Sequence, residues 1–196
     1  MGKYLICVCG ASGAVYARRC IEALLERSEE VHVVFSDWAL QVFREEQGIT
    51  VPDWLCSINF LPKNLYSADD LFAPPASGSW PLDGTAIVPC SMSSLGAIAN
   101  GAGNNLLHRA AAVALKEGRP LVIVPRETPL SVIDLRNMTR LAEAGAAILP
   151  ASPAFYHKPQ SIDELADFVA GKILDRLGVA DRPGNELFNR WKGREA

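Results

Sequence analysis

The 196-residue sequence has no apolar run near the roughly 20 residues that a bilayer-spanning helix needs, which excludes a helical membrane span. It starts on strand-like residues without the basic-then-apolar layout of a secretory leader, so the expected location is cytoplasmic. It lacks a surplus of positive charge: 19 Lys and Arg against 22 Asp and Glu leave −3, so neither nucleic acid nor a membrane surface is an expected partner. Histidine is scarce (His32, His108 and His157), and the five cysteines follow no zinc spacing, so no metal is expected. Cys7 and Cys9 share one face of a strand and are poorly placed to bond each other. Together with Cys20 and Cys56 they read as buried free thiols, whereas Cys90 stands apart because it falls in a loop. Two common phosphate signatures are also missing. No Lys follows Gly13, as a P-loop requires, and G-x-x-G is not the G-x-G-x-x-G of a dinucleotide site, although Asp37 could imitate that fold's ribose-binding acid.

What the chain does have is Gly10-Ala11-Ser12-Gly13-Ala14, placed between an apolar run, Tyr4 to Cys9, and a helix-like stretch from Val15. A strand feeding a helix through small residues lets backbone N–H groups approach an anion at the positive end of the helix dipole. Ser12 adds a hydroxyl donor. A glycine-rich turn without a ligand remains the plainer reading of this segment taken alone.

Strand and helix signals alternate along the chain. Strands are expected at 3–9, 31–35, 85–88, 121–124 and 146–149, and helices at 15–27, 38–46, 106–117, 132–144 and 162–177. Nearly uniform apolar strands between helices of this length predict an α/β fold, a parallel sheet covered on both faces. The length suits one domain, residues 1–178, followed by a polar tail, 179–196, whose Phe188 and Trp191 need a burying surface such as another subunit. Residues 48–84, rich in proline, read as a long irregular excursion.

Ligands of open parallel sheets bind beyond the carboxyl ends of the strands. There the chain places Gly10–Ala14, Ser36 and Asp37, Cys90 to Ser94, Arg126 and Glu127, and a loop with Tyr156, His157 and Lys158. Hydroxyls, an arginine and an acid on one edge suit a phosphate joined to a polar ring system. Each has a plainer alternative. Ser91, Ser93 and Ser94 could cap a helix beginning near Ser94. Arg126 and Glu127 could form a surface pair, though neighbours at a strand end point apart. Arg109 and Lys116, seven apart, share a helix face that would ordinarily be solvated, and His108 and His157 read as surface residues.

GASGA at 10–14, APPASGS at 73–79, PCSMSSLGAIANGAGNNLLHRAAAVALKEGRPLVIVPRETP at 89–129 and MTRLAEAGAAILPASPAFYHKPQS at 138–161 together resemble the flavin prenyltransferase family of UbiX type over essentially the whole chain. The resemblance implies a homododecamer of flavodoxin-like, Rossmann-like doubly wound subunits that binds FMN between them. It implies transfer of a dimethylallyl group from dimethylallyl monophosphate to N5 and C6 of reduced FMN. The prenylated FMN then serves a UbiD-type decarboxylase, as in ubiquinone biosynthesis. On the matching motifs, Gly10, Ala11, Ser12, Gly13, Ser36, Ser91, Met92, Ser93, Ser94 and Arg126 would contact FMN. Tyr156 and Lys172 would bind the prenyl phosphate, with Arg109, Lys116 and Glu127 in the same site and Glu46 near the reacting ring. Asp37 and Trp38 depart from the Lys-Ala of many members, and 48–70 follows no pattern of the family.

The implied chemistry asks for cations against a departing phosphate, which Arg109, Lys116 and Lys172 would supply, and for a carboxylate, Glu127 or Glu46, buried beside the ring to take the C6 proton. The departing phosphate could take that proton instead. Two other classes compete. An FMN-dependent cysteine decarboxylase would need a catalytic His in the first helix and an Asn in the loop written here PCSMSS; both are missing. A non-enzymatic flavin-binding regulatory subunit would have no use for Arg109, Lys116, Glu127, Tyr156 and Lys172 together.

Overall fold

Six short apolar runs become the strands of one parallel sheet: β1 (Lys3–Val8), β2 (Glu30–Phe35), β3 (Leu65–Ser67), β4 (Gly84–Cys90), β5 (Leu121–Pro125) and β6 (Ala147–Ile148). The structure is a computed structural model and describes residues 1–179 and 186–191. The strand order is β3-β2-β1-β4-β5-β6, every neighbouring pair parallel. The chain winds outward from β1 to β3, then returns to β4 on the other side of β1. The carboxyl ends of β1 and β4 therefore flank a topological switch point, the usual ligand crevice of doubly wound sheets.

Helices α1 (Ala14–Glu26), α2 (Asp37–Gln47), α3 (Val51–Ser57), α4 (Met92–Ala99), α5 (Leu106–Lys116), α6 (Val132–Glu143) and α7 (Ile162–Leu177) cover both faces. Because strand side chains alternate, each strand feeds two cores. Ile6, Val8, Ala86, Val88, Val122 and Val124 meet Ala17, Ile21 and Leu24 of α1 and Val169, Ala170 and Ile173 of α7 on one face. Leu5, Cys7, Cys9, Ile87, Cys90 and Ile123 meet Leu95 of α4, Leu107, Ala110 and Ala114 of α5 and Leu141 of α6 on the other. Every one of these helices but α1 starts on a side-chain cap: Ser36, Thr50, Ser91, Asn105, Ser131 and Ser161 each accept a backbone N–H from the first turn.

The expected α/β sheet and all five expected helices are present. The excursion at 48–84 is more ordered than expected, holding α3, the edge strand β3 and two 3₁₀ turns, Pro62–Asn64 and Pro74–Ala76. Proline misled here: Pro52 stands in the first turn of α3, where its missing N–H costs nothing, and starts the helix rather than breaking it. α4 begins at Met92 on a Ser91 cap, two residues ahead of the expected start.

Other corrections concern burial. Cys90 is the last residue of β4 and fully buried rather than in a loop, whereas Cys56, expected buried, is exposed. His108 is buried rather than on the surface. Phe188 is buried within its own chain, while Trp191 is 66% exposed; tail residues 180–185 and 192–196 lie outside the described residues.

His32, on β2, is 4% exposed, with Nδ1 at 3.0 Å from the Tyr66 hydroxyl and Nε2 at 2.8 Å from Glu30. Burial pushes its imidazole below the usual value, outweighing the Glu30 carboxylate, and burial does the same to His108. Each is thus harder to protonate in the native state than in the unfolded chain. Their contribution is intact above the unfolded value of 6.5 and is lost as pH falls through the lower native value. The melting temperature should hold between pH 8 and about 6.5 and then fall toward pH 5. His32→Gln should flatten part of that fall, leaving the share of His108. A wild-type profile that is flat to pH 5 would contradict this.

Candidate active site at the strand ends

The β1–α1 turn is held from two sides. Gly13 takes φ 109°, a left-handed backbone conformation that suits glycine, and turns the chain into α1. Glu46, at the end of α2, accepts N–H bonds from Gly13 at 2.9 Å and Ala14 at 2.8 Å, so a carboxylate caps the positive end of α1. From the far side Arg126 donates its Nε–H to the Ser12 carbonyl at 3.0 Å. Ser12, Gly13, Glu46 and Arg126, with Tyr16 and Asp163, line an open cleft of about 510 Å³.

The neighbouring turns come close for equally local reasons. The Ser36 N–H donates to the Val8 carbonyl at 3.0 Å, tying the start of α2 to the end of β1. A Cβ at Gly10 would stand 2.4 Å from the Trp38 Cβ, so only glycine admits the first turn of α2 here. Trp38 itself is 70% exposed. At the end of β4, the Ser91 hydroxyl accepts from the Ser94 N–H at 3.3 Å, and the Ser94 hydroxyl meets His108 Nε2 at 3.1 Å. Beneath both turns lie Cys9 and Cys90. Contact with Cys90, helped by the Ser94 hydroxyl, holds the Cys9 thiol below its ordinary value despite burial; the same contact and burial push Cys90 well above its own.

Gly10, Ala11, Ser12, Gly13, Ser36, Ser91, Met92, Ser93, Ser94 and Arg126 therefore gather around the switch point, where three helices begin. Ser36 and Ser91 each spend an oxygen lone pair on their own helix, which leaves the hydroxyl hydrogen to donate outward. Such a ring of donors fits a phosphate monoester. Arg126 and Glu127 have separate partners: Glu127 accepts the N–H of Thr128 at 3.0 Å and faces a smaller cleft of about 140 Å³ with Met138 and Ser152. Glu46 and Glu127 are both exposed in the single chain, so the burial expected around them is not supplied by this chain alone.

The remaining candidates sit elsewhere. On α5, Arg109 donates to the Ala76 carbonyl at 2.9 Å, and Lys116 pairs with Glu117 against Gly78, so both lie beside the 73–79 segment. Tyr156 stands edge-on to Trp191 at 5.8 Å. Lys172, on α7, lines a cleft of about 780 Å³ beside β6. His157 is half-buried and stacks on Phe168 at 5.8 Å. Since α5 packs on one face of the sheet and α7 on the other, one chain does not bring Lys116 and Lys172 to a single anion. Sequence reading missed the Glu46 cap, the Arg126 lock and the need for Gly10 beside Trp38. Only the glycines were visible signals for these.

The family model for flavoproteins matches residues 2–174. A flavin prenyltransferase UbiX from Methanocaldococcus jannaschii is 44% identical over 189 residues, 96% of this chain and 98% of its own. The chain belongs to the flavoprotein family and, within it, to the flavin prenyltransferases. Among solved structures this flavoprotein is similar to AnUbiX in complex with FMN and dimethylallyl pyrophosphate, with a TM-score of 0.91, 38% identity and 99% of each chain covered. It is also similar to a dodecameric FMN-dependent UbiX-like decarboxylase from Escherichia coli O157:H7, with a TM-score of 0.86, 38% identity, 97% of this chain and 100% of the other.

The close approach at Gly10 makes a sharp prediction. Gly10→Ala must push α2 away from the end of β1, an overpacking that costs about 1–3 kcal/mol. Urea unfolding should show that loss, whereas Gly101→Ala, whose Cβ meets nothing within 4 Å, should lose only what its positive φ of 65° imposes. Equal stability of Gly10→Ala and wild type would refute the packing argument.

Proposed function

We propose that this flavoprotein is a flavin prenyltransferase joining the dimethylallyl group of dimethylallyl monophosphate to N5 and C6 of reduced FMN. The observation that carries this reading is the division of labour among its residues. A ring of neutral donors and one arginine surrounds the switch point, and cations for a second phosphate stand apart on α5 and α7. A plain flavin carrier needs the first set and has no use for the second. A cysteine decarboxylase would need a histidine in α1, which has none.

FMN is held by the Gly10–Gly13 turn, the outward hydroxyls of Ser36 and Ser91, the Met92–Ser94 turn of α4 and the Arg126 guanidinium. Reduced FMN supplies the nucleophilic N5 and C6. N5 would take the allylic carbon as the C–O bond breaks, inorganic phosphate leaving with that electron pair and N5 giving up its proton. C6 would then join the far alkene carbon as the π bond opens, the middle carbon gaining one proton and C6 losing one. Arg109, Lys116, Tyr156 and Lys172 hold the allyl phosphate and stabilise the charge that gathers on it. Glu127 takes the proton from C6, and Glu46 keeps the β1–α1 turn in shape beside the ring.

Because α5 and α7 cover opposite faces of the sheet, the phosphate site is assembled from neighbouring subunits, and the same surfaces close around Glu127 and exclude water. A homododecamer like that of the similar Escherichia coli protein meets this need. No group of three His, Cys, Asp or Glu side chains suited to a metal ion occurs among the described residues, and the protein cations take the place such an ion would have. No described helix is long and apolar enough to cross a membrane. The chain works in the cytoplasm, and its product passes to a UbiD-type decarboxylase.

Purified protein should bind FMN without covalent attachment and convert it, under reducing conditions with dimethylallyl phosphate, to a species of higher mass by one C5 unit. Lys116→Ala and Lys172→Ala should each bind FMN normally and lose prenylation by about ten- to a hundredfold. When the two inactive variants are dissociated and reassembled together, up to about a quarter of the sites should regain both lysines from different chains. Normal prenylation by the separate variants would remove them from the site. Mixed assemblies with no recovered activity would show that both lysines come from one chain.

A further inference from the structure

Residues 186–191 lie across α7, beside both α7-side residues assigned to the allyl phosphate. Their landing place is Gly171, where a Cβ would stand 2.5 Å from the Phe188 ring, so only glycine lets that ring in. The Phe188 ring packs on Phe168 at 4.8 Å and carries two cations, the Arg190 guanidinium at 5.1 Å and the Lys172 ammonium at 5.9 Å. Arg190 grips Asp175 with both arms, at 3.0 Å and 2.6 Å. Lys172 stands 3.7 Å from one of those carboxylate oxygens. Trp191, the next residue, meets Tyr156 edge-on.

Lysine and aspartate three residues apart on a helix pair of their own accord. A Lys172 ammonium drawn onto Asp175 would turn part of its charge and one of its donors away from a substrate. The planar fork of arginine matches both carboxylate oxygens, which an ammonium cannot do, so Arg190 outcompetes Lys172 for Asp175. The Arg190 guanidinium is also the main cause that holds the Asp175 carboxyl below the usual carboxylate range, keeping the grip in place at neutral pH.

We propose that Arg190 is a positioning residue for prenyl transfer: by occupying Asp175 it leaves the Lys172 ammonium to the substrate phosphate, while the segment it anchors sets Trp191 against Tyr156. This rests on the assignment of Lys172 and Tyr156 to that phosphate. Arg190 touches neither substrate and acts through Lys172.

The test compares full-length wild type, Arg190→Ala, Asp175→Asn and the double variant. In steady-state prenylation, Arg190→Ala should raise KM for dimethylallyl phosphate about tenfold, the size of one weakened charge-assisted bond, with kcat nearly unchanged. Adding Asp175→Asn, which removes the competing carboxylate, should restore most of the lost KM. A merely structural role predicts the opposite, a double variant at least as impaired as the single. An unchanged KM in Arg190→Ala, no rescue by Asp175→Asn, or loss of FMN binding together with the KM effect would each overturn the proposal. A second readout is independent of turnover: the acetylation rate of Lys172 by an activated ester, followed by peptide mass. It should fall in Arg190→Ala and recover in the double variant. Equal rates in all four proteins refute the role of Arg190, whereas a wild type that never prenylates FMN refutes the function itself.

Discussion

The sheet is a wall. Its two faces are fully covered, and the helices that cover them carry the charges that matter, α5 with Arg109 and Lys116 on one side and α7 with Lys172 on the other. A close-packed interior lets neither set reach through to the other. On the proposed reading, a phosphate that takes both sets needs a second chain. On the same reading an oligomer follows from where a parallel sheet puts its helices, and Glu46 and Glu127, exposed in one chain, would be covered by the same neighbour.

What a single chain does assemble is the cluster of donors at the strand ends. The reversal of winding between β1 and β4 parts the two connections and leaves a crevice, into which α1, α2 and α4 point their amino-terminal ends. Glu46 answers the dipole of α1 through the Gly13 and Ala14 amides, while the N-cap serines of α2 and α4 keep a hydroxyl hydrogen to offer. Arg126 fixes the turn by its bond to the Ser12 carbonyl, so it organises the backbone as well as bringing charge. The Glu46 and Arg126 contacts join elements far apart in sequence, the serine caps are local, and together they hold the donors in place before any ligand arrives. That is the condition under which hydrogen bonds to an anion cost least in ordering entropy.

Much of the fold was legible because its strands are buried on both faces and so read as plain apolar runs, and because its helices are long enough to show their period. The failures share a cause. β3 has three residues and α3 seven, too few to carry a pattern. The prolines of 48–84 pointed to an irregular stretch, yet Pro52, in the first turn of α3, starts a helix. His108 and Cys56 were misplaced because burial of a single polar or small side chain depends on which element lies over it, here the turn of α4 carrying Ser94 and the open edge beside β3.

Residue chemistry alone determined that this is an α/β protein with a parallel sheet covered on both faces and a glycine-rich turn after its first strand, since apolar periodicity, glycine spacing and turn hydroxyls are local properties. The same local motifs carried the likeness to flavin prenyltransferases. Tertiary structure decided which of those residues act together. It joined Glu46 to the α1 amides and Arg126 to Ser12, set Cys9 beside Cys90, brought Arg190 onto Asp175, and parted Lys116 from Lys172. Distance in space is not encoded at any one position. It follows from strand order and from the side of the sheet on which each helix packs, and these emerge only when the whole core closes.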